Sequence, residues 1–189
     1  MANANWCSLH VQLSLAKNSL TLISIRNEGF FMPFFLIFVK TKTVFMYDFI
    51  QKFHSGWAYL ALLVLVVAVV NSFIGMSSKK EFTSKDRKIA LFALIAIHIQ
   101  LLVGIILYFV SSNGFKMIKA VGMGGLTTDA RLLALEHPLI NIIAIILITI
   151  GWSKHKKLVA SESKFKTFSI FYGLGLLLIL SRIPWNMWF

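Results

Sequence analysis

Four long apolar stretches, separated by short polar links, dominate the chain from residue 56 onward. Each is about as long as the roughly 20 residues that a helix needs to cross the hydrocarbon core of a bilayer. Because a membrane span must satisfy its backbone hydrogen bonds internally, each stretch is expected to be a helix. The sequence therefore predicts an all-α integral membrane protein folded as a four-helix up-down bundle. The predicted spans cover residues 56–75, 89–110, 132–151 and 167–187.

The composition supports a membrane protein and excludes several other classes. Of the 189 residues, 58% are hydrophobic, whereas a soluble domain is about 45–50% apolar. The net charge of +12 would favour nucleic-acid binding in a soluble protein, but the basic residues lie mostly beside the spans, where they set topology. No P-loop and no G-x-G-x-x-G after a strand occurs. The lipid bilayer is therefore the expected partner, with no nucleic acid and no nucleotide.

The single cysteine, Cys7, limits the cofactors that this chain can hold. One thiol cannot form an internal disulfide, a four-cysteine zinc site or an iron–sulfur cluster. No C-x-x-C-H sequence is present, so covalent haem attachment is excluded. Neither G-x-S-x-G nor H-E-x-x-H occurs, which removes two common hydrolase motifs. A stand-alone enzyme is therefore not expected, and no catalytic residue is assigned.

The first quarter of the chain differs from the rest. Residues 30–39 (FFMPFFLIFV) are apolar, but they make only half a span and Pro33 interrupts them. The parts of a signal peptide do not occur in the required order. From Met46 the pattern becomes regular, so we predict that Met46 is the natural start, that residues 1–45 are an upstream extension, and that 46–189 form the four-helix domain. The alternative is a genuine tail with an interfacial apolar segment, and the mass of the native protein decides between them.

The links between the spans differ in charge, which predicts an orientation. The links 76–88 and 153–166 each hold five lysine or arginine residues, and the Gly-rich link 111–131 holds three. Positively charged links favour the cytoplasm, so the first and third links are expected inside and both termini outside. His155, within the lysine-rich third link, is expected to be solvated.

Helix starts also carry signals. Thr83 followed by Asp86 resembles a capping box before the second span. Thr127 or Thr128, with Asp129, can cap the third span.

Three histidines accompany the spans, and they are the main functional clue. His54 lies at the mouth of the first span, His98 within the second and His137 within the third. An ionisable side chain in a membrane is costly and indicates function by default, and histidine is a common ligand of haem iron and other metals. Pro138, which follows His137, lacks a backbone donor and is expected to kink the third helix.

Depths along the helices predict which of these side chains can meet. At about 1.5 Å per residue from the cytoplasmic ends, His137 and Arg182 both lie at about 22 Å, His54 at about 31 Å and His98 at about 15 Å. A b-type haem needs two facing imidazoles, an apolar slot and a cationic partner for its propionates. His137 can pair with His54 or with His98, so two of the three histidines would bind the haem iron, and Arg182 would meet a propionate.

Helix faces leave the second span ambiguous. His54 lies on a stripe of mostly small residues that is expected to face the bundle. In the second span, small residues would turn Gln100 inward, whereas His98 shares a bulky apolar face that would suit the wall of a cofactor slot. That stripe on the first span comprises Ala58, Ala61, Leu65, Ala68 and Ser72.

Each of these polar residues also has a structural explanation. His54 can be a hydrated boundary residue, and His98 can bond to a neighbouring helix. Glu136 can pair with Arg182 while His137 supports the pair, or Arg182 can extend to the outer headgroups.

From Met46 onward, the phrases HSGWAYL, ALFALIAIHIQLLVGIILYF, LEHPLINIIAIILITIG and FYGLGLLLILSRIPW resemble short bacterial four-span membrane proteins labelled cytochrome B, or cytochrome b-like. The resemblance covers residues 46–189. It implies a haem b, electron transfer and a place in the bacterial inner membrane. It assigns haem ligation to His54, His98 and His137, with one of the three not a ligand, and a small carrier of this kind would dock on a larger respiratory or membrane complex.

Two other classes of function stay open on the sequence. A non-redox structural or assembly subunit, or a factor that handles haem or metal, would use the same polar residues to order the bundle. A proton or ion conductor would use the histidines with Gln100 and Arg182 as a relay, but the inner half of the bundle offers few polar groups to continue it.

Overall fold

In a computed structural model of the protein, residues 31–188 are described, with the side chains of residues 45–187. The predicted upstream extension, 1–45, falls largely outside the described residues. The chain divides at Thr43/Val44 into two units, and the bundle belongs to the second. A 3₁₀ turn covers Met123–Gly125 and a π-helical turn covers Leu132–Glu136. The α-helices are α1 Phe31–Ser77, α2 Ser84–Val110, α3 Phe115–Val121, α4 Thr128–Arg131, α5 His137–His155, α6 Ser161–Ser181 and α7 Trp185–Trp188.

Among the described residues, four helical segments are long and apolar enough to cross a membrane, as the sequence predicts. Short links join α1 to α2 and α5 to α6, so these consecutive helices run antiparallel. The described residues contain helices and no strands. The prediction of an all-α, multi-pass membrane protein with an up-down bundle is confirmed. The spans are Phe45–Ser77, Ser84–Val121, Thr128–His155 and Ser161–Ser181.

Small residues bring the helices close together. The predicted stripe on α1 is buried at Ala61, Leu65 and Ala68. On α2, Ala93 and Ala96 are buried in the same core. Without a hydrophobic drive between helices in lipid, close van der Waals packing across small side chains provides the association energy. The ambiguity of the second span is thereby resolved, because its small-residue face points inward.

Large apolar side chains cover the outside of the bundle. Leu63, Leu102 and Leu177 are each more than 60% exposed, on three different helices. In water such a surface would cause aggregation, whereas hydrocarbon chains cover it at no cost. The exposed apolar face is therefore the surface that contacts the bilayer.

Both predicted helix starts are present. The Asp86 carboxylate accepts from the Thr83 backbone N–H at 2.9 Å and also contacts Lys80 at 2.7 Å. At the start of α4, the Thr127 hydroxyl accepts from the backbone N–H of Ala130 at 3.3 Å. Side-chain oxygens thus satisfy donors that the first turn of a helix leaves free.

The π-helical turn ends two residues before Pro138. Proline lacks a backbone N–H, and its ring clashes with the carbonyl four residues earlier in a regular α-helix. The five residues Leu132–Glu136 form the π turn, which widens the helix where that clash would occur. Such a turn is one of the recognised causes of helix kinks. Pro138 thereby determines the local backbone that carries His137.

The helix of the fourth span, α6, is shorter than the sequence predicts. It ends at Ser181 instead of 187, and Arg182 forms its C-cap with φ −128° and ψ 19°. The reason is Pro184, because the residue before a proline is disfavoured from the α region, so Ile183 cannot extend the helix. Arg182 therefore follows the helix and is not part of the span.

A glycine pair on α6 tests the importance of close packing. A methyl group at Gly175 would lie 2.5 Å from Ile148 Cγ1 and 3.2 Å from the Ala144 carbonyl oxygen on α5. Gly175→Ala should therefore destabilise the bundle by about 1–3 kcal/mol through overpacking. Gly173 has open space around the same position, so Gly173→Ala should leave stability unchanged or raise it by about 0.5–1 kcal/mol. Thermal unfolding in mild detergent measures both, and equal effects would contradict the packing described.

Candidate functional site

Two of the three predicted histidines meet at one end of the bundle. The ring centroids of His54 on α1 and His137 on α5 lie 6.4 Å apart, with an interplanar angle of 75°. Metal–imidazole nitrogen bonds are about 2.0 Å long, so a separation of this size is comparable with the distance across one metal ion. The two rings therefore form the candidate site.

Hydrogen bonds fix the orientation of His137. Its Nδ1 donates to the backbone carbonyl of Arg182 at 2.8 Å. The amide of Asn141, one turn later, donates to the His137 carbonyl at 2.7 Å. Because a carbonyl only accepts, the proton of neutral His137 must be on Nδ1, and the lone pair is then on Nε2. A metal-binding histidine usually has this arrangement, with its other ring nitrogen bonded to a carbonyl or carboxylate.

Glu136 joins two arginines beside His137. Its carboxylate contacts Arg131 Nε at 3.0 Å and Arg182 Nε at 3.3 Å. The Arg182 side chain is 44% exposed, and its Nη1 donates to the carbonyl of Ser181. The structural explanation that pairs Glu136 with Arg182 therefore describes the contacts that form, with His137 supporting the backbone of Arg182. The predicted common level of His137 and Arg182 is confirmed.

Gln100 on α2 positions His54 from the opposite side. Its amide nitrogen donates to the His54 carbonyl at 3.0 Å and lies 3.3 Å from both ring nitrogens. Gly104, one turn further, leaves room for the ring, since a methyl group there would lie 3.1 Å from His54 Cε1. The ring nitrogens of His54 thus face α2. The sequence left the inward face of the second span open and linked Gln100 to the histidines only as part of a proton or ion relay.

His98 is separated from this pair. Its Nδ1 donates to the Leu94 carbonyl at 2.7 Å, and its Nε2 lies 3.4 Å from the hydroxyl of Thr149. Thr149 follows His137 by twelve residues on α5, which corresponds to about 18 Å along a helix. One ion cannot bridge such a distance. Of the four predicted site residues, the structure brings together His54, His137 and Arg182 and places His98 elsewhere.

His155 is not solvated, and the prediction for it is wrong. The side chain is buried, at 3% exposure, although the surrounding link is rich in lysine. Its ring packs against Trp152 and Phe168 at 4.5 and 4.7 Å between centroids, and its Nδ1 donates to the Trp152 carbonyl. α5 continues to His155, which turns the ring toward α6 instead of into the link.

Within the described part of the chain, no three His, Cys, Asp or Glu side chains converge as a metal site. Comparisons with protein-family models, curated proteins and solved structures give no match to this chain.

The hydrogen bonds of the histidines predict their tautomers. In haem-free protein, His98 and His137 should both carry the proton on Nδ1, because each Nδ1 donates to a backbone carbonyl. Nitrogen-15 NMR of histidine-labelled protein in detergent at about pH 8 distinguishes the two tautomers. His98→Asn and His137→Asn assign the signals. A proton on Nε2 of His137 would contradict the bond to Arg182.

Proposed function

We propose that this protein is a b-type, haem-binding electron carrier of the membrane, similar to the short bacterial proteins labelled cytochrome B. The observation that carries the proposal is the meeting of His54 and His137, from two different helices, within an apolar four-helix bundle. A haem iron held by two histidines would need only two ligands from the protein. A pair of imidazoles in a bundle of membrane spans supplies that number.

His137 fits the role of a histidine that would bind the haem iron. Its Nδ1–H is held by the Arg182 carbonyl, so Nε2 presents its lone pair without a further change of tautomer. Asn141 braces the backbone of the same turn. The ligand and the bonds that orient it are thus supplied by the start of α5 and the end of α6.

His54 fits after one rearrangement. Both its ring nitrogens lie beside the Gln100 amide, so the ring has to rotate before one of them can face an ion shared with His137. The other nitrogen would then carry a proton that needs an acceptor. Gln100 Oε1 is buried beside it and has no hydrogen-bond partner in the described part of the chain. An iron-bound histidine usually donates its second ring N–H to an acceptor, and Gln100 Oε1 could be that acceptor for His54.

Arg182 provides the positive charge for a haem propionate. Its guanidinium uses Nε and Nη1 in the contacts described, and the group has five N–H donors in all. Haem b, when bound, supplies one-electron chemistry at its iron. The chain's own residues would bind the group and orient it. The proposed role is therefore that of an electron carrier that works with other proteins.

The proposal includes a location and a partner. The excess of lysine and arginine in the first and third links supports an orientation with these links in the cytoplasm and both termini outside. The resemblance to the short bacterial proteins supports a location in the bacterial inner membrane. In this orientation the histidine pair lies toward the outer side. A carrier with one small cofactor needs a donor and an acceptor of electrons, so a larger respiratory or membrane complex is the expected partner.

Absorption spectra of purified residues 1–189, made in haem-replete cells, test the proposal. Reduced-minus-oxidised spectra should show a b-type α-band. His54→Ala and His137→Ala should each reduce bound haem by about tenfold or more, since each would remove one of the two iron ligands. His98→Ala is the matched control, as it removes an intramembrane histidine remote from the pair, and it should retain haem.

Two results would overturn this assignment. Folded wild-type protein without haem ends the cytochrome proposal. Haem that survives in His54→Ala but is lost in His98→Ala ends the assignment of the ligand pair.

A structural or assembly role is the second candidate. The bridge from Glu136 to Arg131 and Arg182 favours it, because this bridge orders the start of α5 and the end of α6 without any cofactor.

Charge removal measures how much the Glu136 bridge stabilises the protein. Glu136→Gln should lower stability by roughly 0.5–1 kcal/mol, since two partly exposed pairs are lost. Asp48→Asn, which removes an exposed pair with Lys52, should have almost no effect. Thermal unfolding in detergent compares the two variants. If the protein binds no haem and both variants lower the unfolding temperature equally, the structural role also has no support.

A further inference from the structure

Phe82 joins the two basic links at the end of the bundle opposite the histidine pair. Its backbone N–H donates to the hydroxyl of Ser161 at 3.0 Å. Its ring packs against Phe165 and Phe168, with centroids 5.1 and 5.9 Å away, and against His155. One aromatic side chain from the α1–α2 link thus fixes the position of the α5–α6 link. The two links form a single surface.

Cations from both links lie over the rings of this surface. Arg87 Cζ and Lys156 Nζ lie 5.8 and 5.3 Å from the centre of the Trp152 ring. Lys164 Nζ lies 5.6 Å from the centre of Phe82. These contacts hold three flexible side chains in place, because aromatic faces attract cations at such distances. The positive charges are therefore concentrated at one place instead of spread over the links.

The carboxylates described at this end of the bundle form no ion pair with these three cations. Asp86 is the buried carboxylate at this end, and it bonds to Lys80, Asn71 and Thr83. Among the described residues, Arg87, Lys156 and Lys164 form no ion pair. Arg87 and Lys156 share the Trp152 ring, and the Trp152 and Phe82 rings both pack against His155, so the three cations lie over one aromatic cluster.

We propose that Arg87, Lys156 and Lys164 form a binding site for the phosphate headgroup of an anionic phospholipid. The site lies where the spans end, so a lipid of the same leaflet reaches it while its chains contact the exposed apolar face of the bundle. Lysine and arginine clusters beside membrane spans recognise anionic headgroups. The aromatic contacts add to this recognition by ordering the cations beforehand, which lowers the entropy lost on binding. The site is independent of haem.

Lipid retention in the full-length protein tests the site. The protein is purified in mild detergent, exposed to equal amounts of phosphatidylglycerol and phosphatidylcholine, and examined by native mass spectrometry. The wild type should retain phosphatidylglycerol selectively. The variant R87Q/K156Q/K164Q should retain it on the order of tenfold less.

The matched control is K85Q/K157Q/K166Q, which removes three charges from the same end at exposed lysines without a described ring contact. It should retain phosphatidylglycerol within about twofold of the wild type. Equal losses in both variants would show that net charge alone attracts the lipid, and no lipid preference in the wild type would show that no site exists. Either result overturns the proposal.

Thermal unfolding in phosphatidylcholine nanodiscs checks that both triple variants fold like the wild type. A further variant, Trp152→Leu, should also lose selective retention of phosphatidylglycerol, because the Trp152 ring orders two of the cations. Inorganic phosphate at millimolar concentration should not displace the lipid, because the lipid chains contribute to binding. Displacement would identify a free-phosphate site and overturn the assignment to lipid.

Discussion

Lipid offers no hydrogen-bond partner to a peptide group, and every other feature of this bundle follows from that restriction. The spans must be helices, and helices in hydrocarbon associate through close contact instead of the hydrophobic effect. Ala61 and Ala68 on α1 and Ala93 on α2 permit such contact. Gly175, which meets Ile148 and the Ala144 carbonyl, does the same between α5 and α6. Polar side chains then find their partners on neighbouring helices, as when Trp57 donates to the Ala96 carbonyl at 2.9 Å.

The sequence predicts the parts of this structure that depend on period and depth. Four apolar stretches define the spans, and counting residues places His137 level with Arg182, as their 2.8 Å bond confirms. Depth alone does not identify a partner. From depth, His98 could be predicted to pair with His137, because their helices are adjacent. Whether the two rings meet depends on the rotation of α2 about its own axis. The small-residue face turns Gln100 toward His54, and His98 consequently reaches Thr149.

The remaining errors arise where backbone geometry overrides hydropathy. Apolar and aromatic residues continue to 187, yet Pro184 ends α6 early, and Arg182 can therefore offer its carbonyl to His137. A π-helical turn before Pro138 is another effect that hydropathy does not report. His155 shows the opposite case, since a lysine-rich context predicted exposure while the last turn of α5 buried the ring. In each case a single residue's position on a helix end decides the outcome.

Polar and charged side chains lie at both ends of the bundle, but they are stabilised differently at each end. At one end, His137 and Glu136 bind the segment that contains Arg182, so most polar groups there bond to one another. The exception among the described residues is Gln100 Oε1, beside His54, which has no hydrogen-bond partner. At the other end, aromatic rings hold three cations that form no ion pair with any described carboxylate. At the histidine end the free buried acceptor among the described side chains is Gln100 Oε1, which could accept a hydrogen bond from a ring N–H of His54. This arrangement favours a ligand bound between the helices. A set of ordered, uncompensated cations favours an external anion. The two proposals thus rest on opposite electrostatic situations within one small bundle, and neither requires the other to be correct.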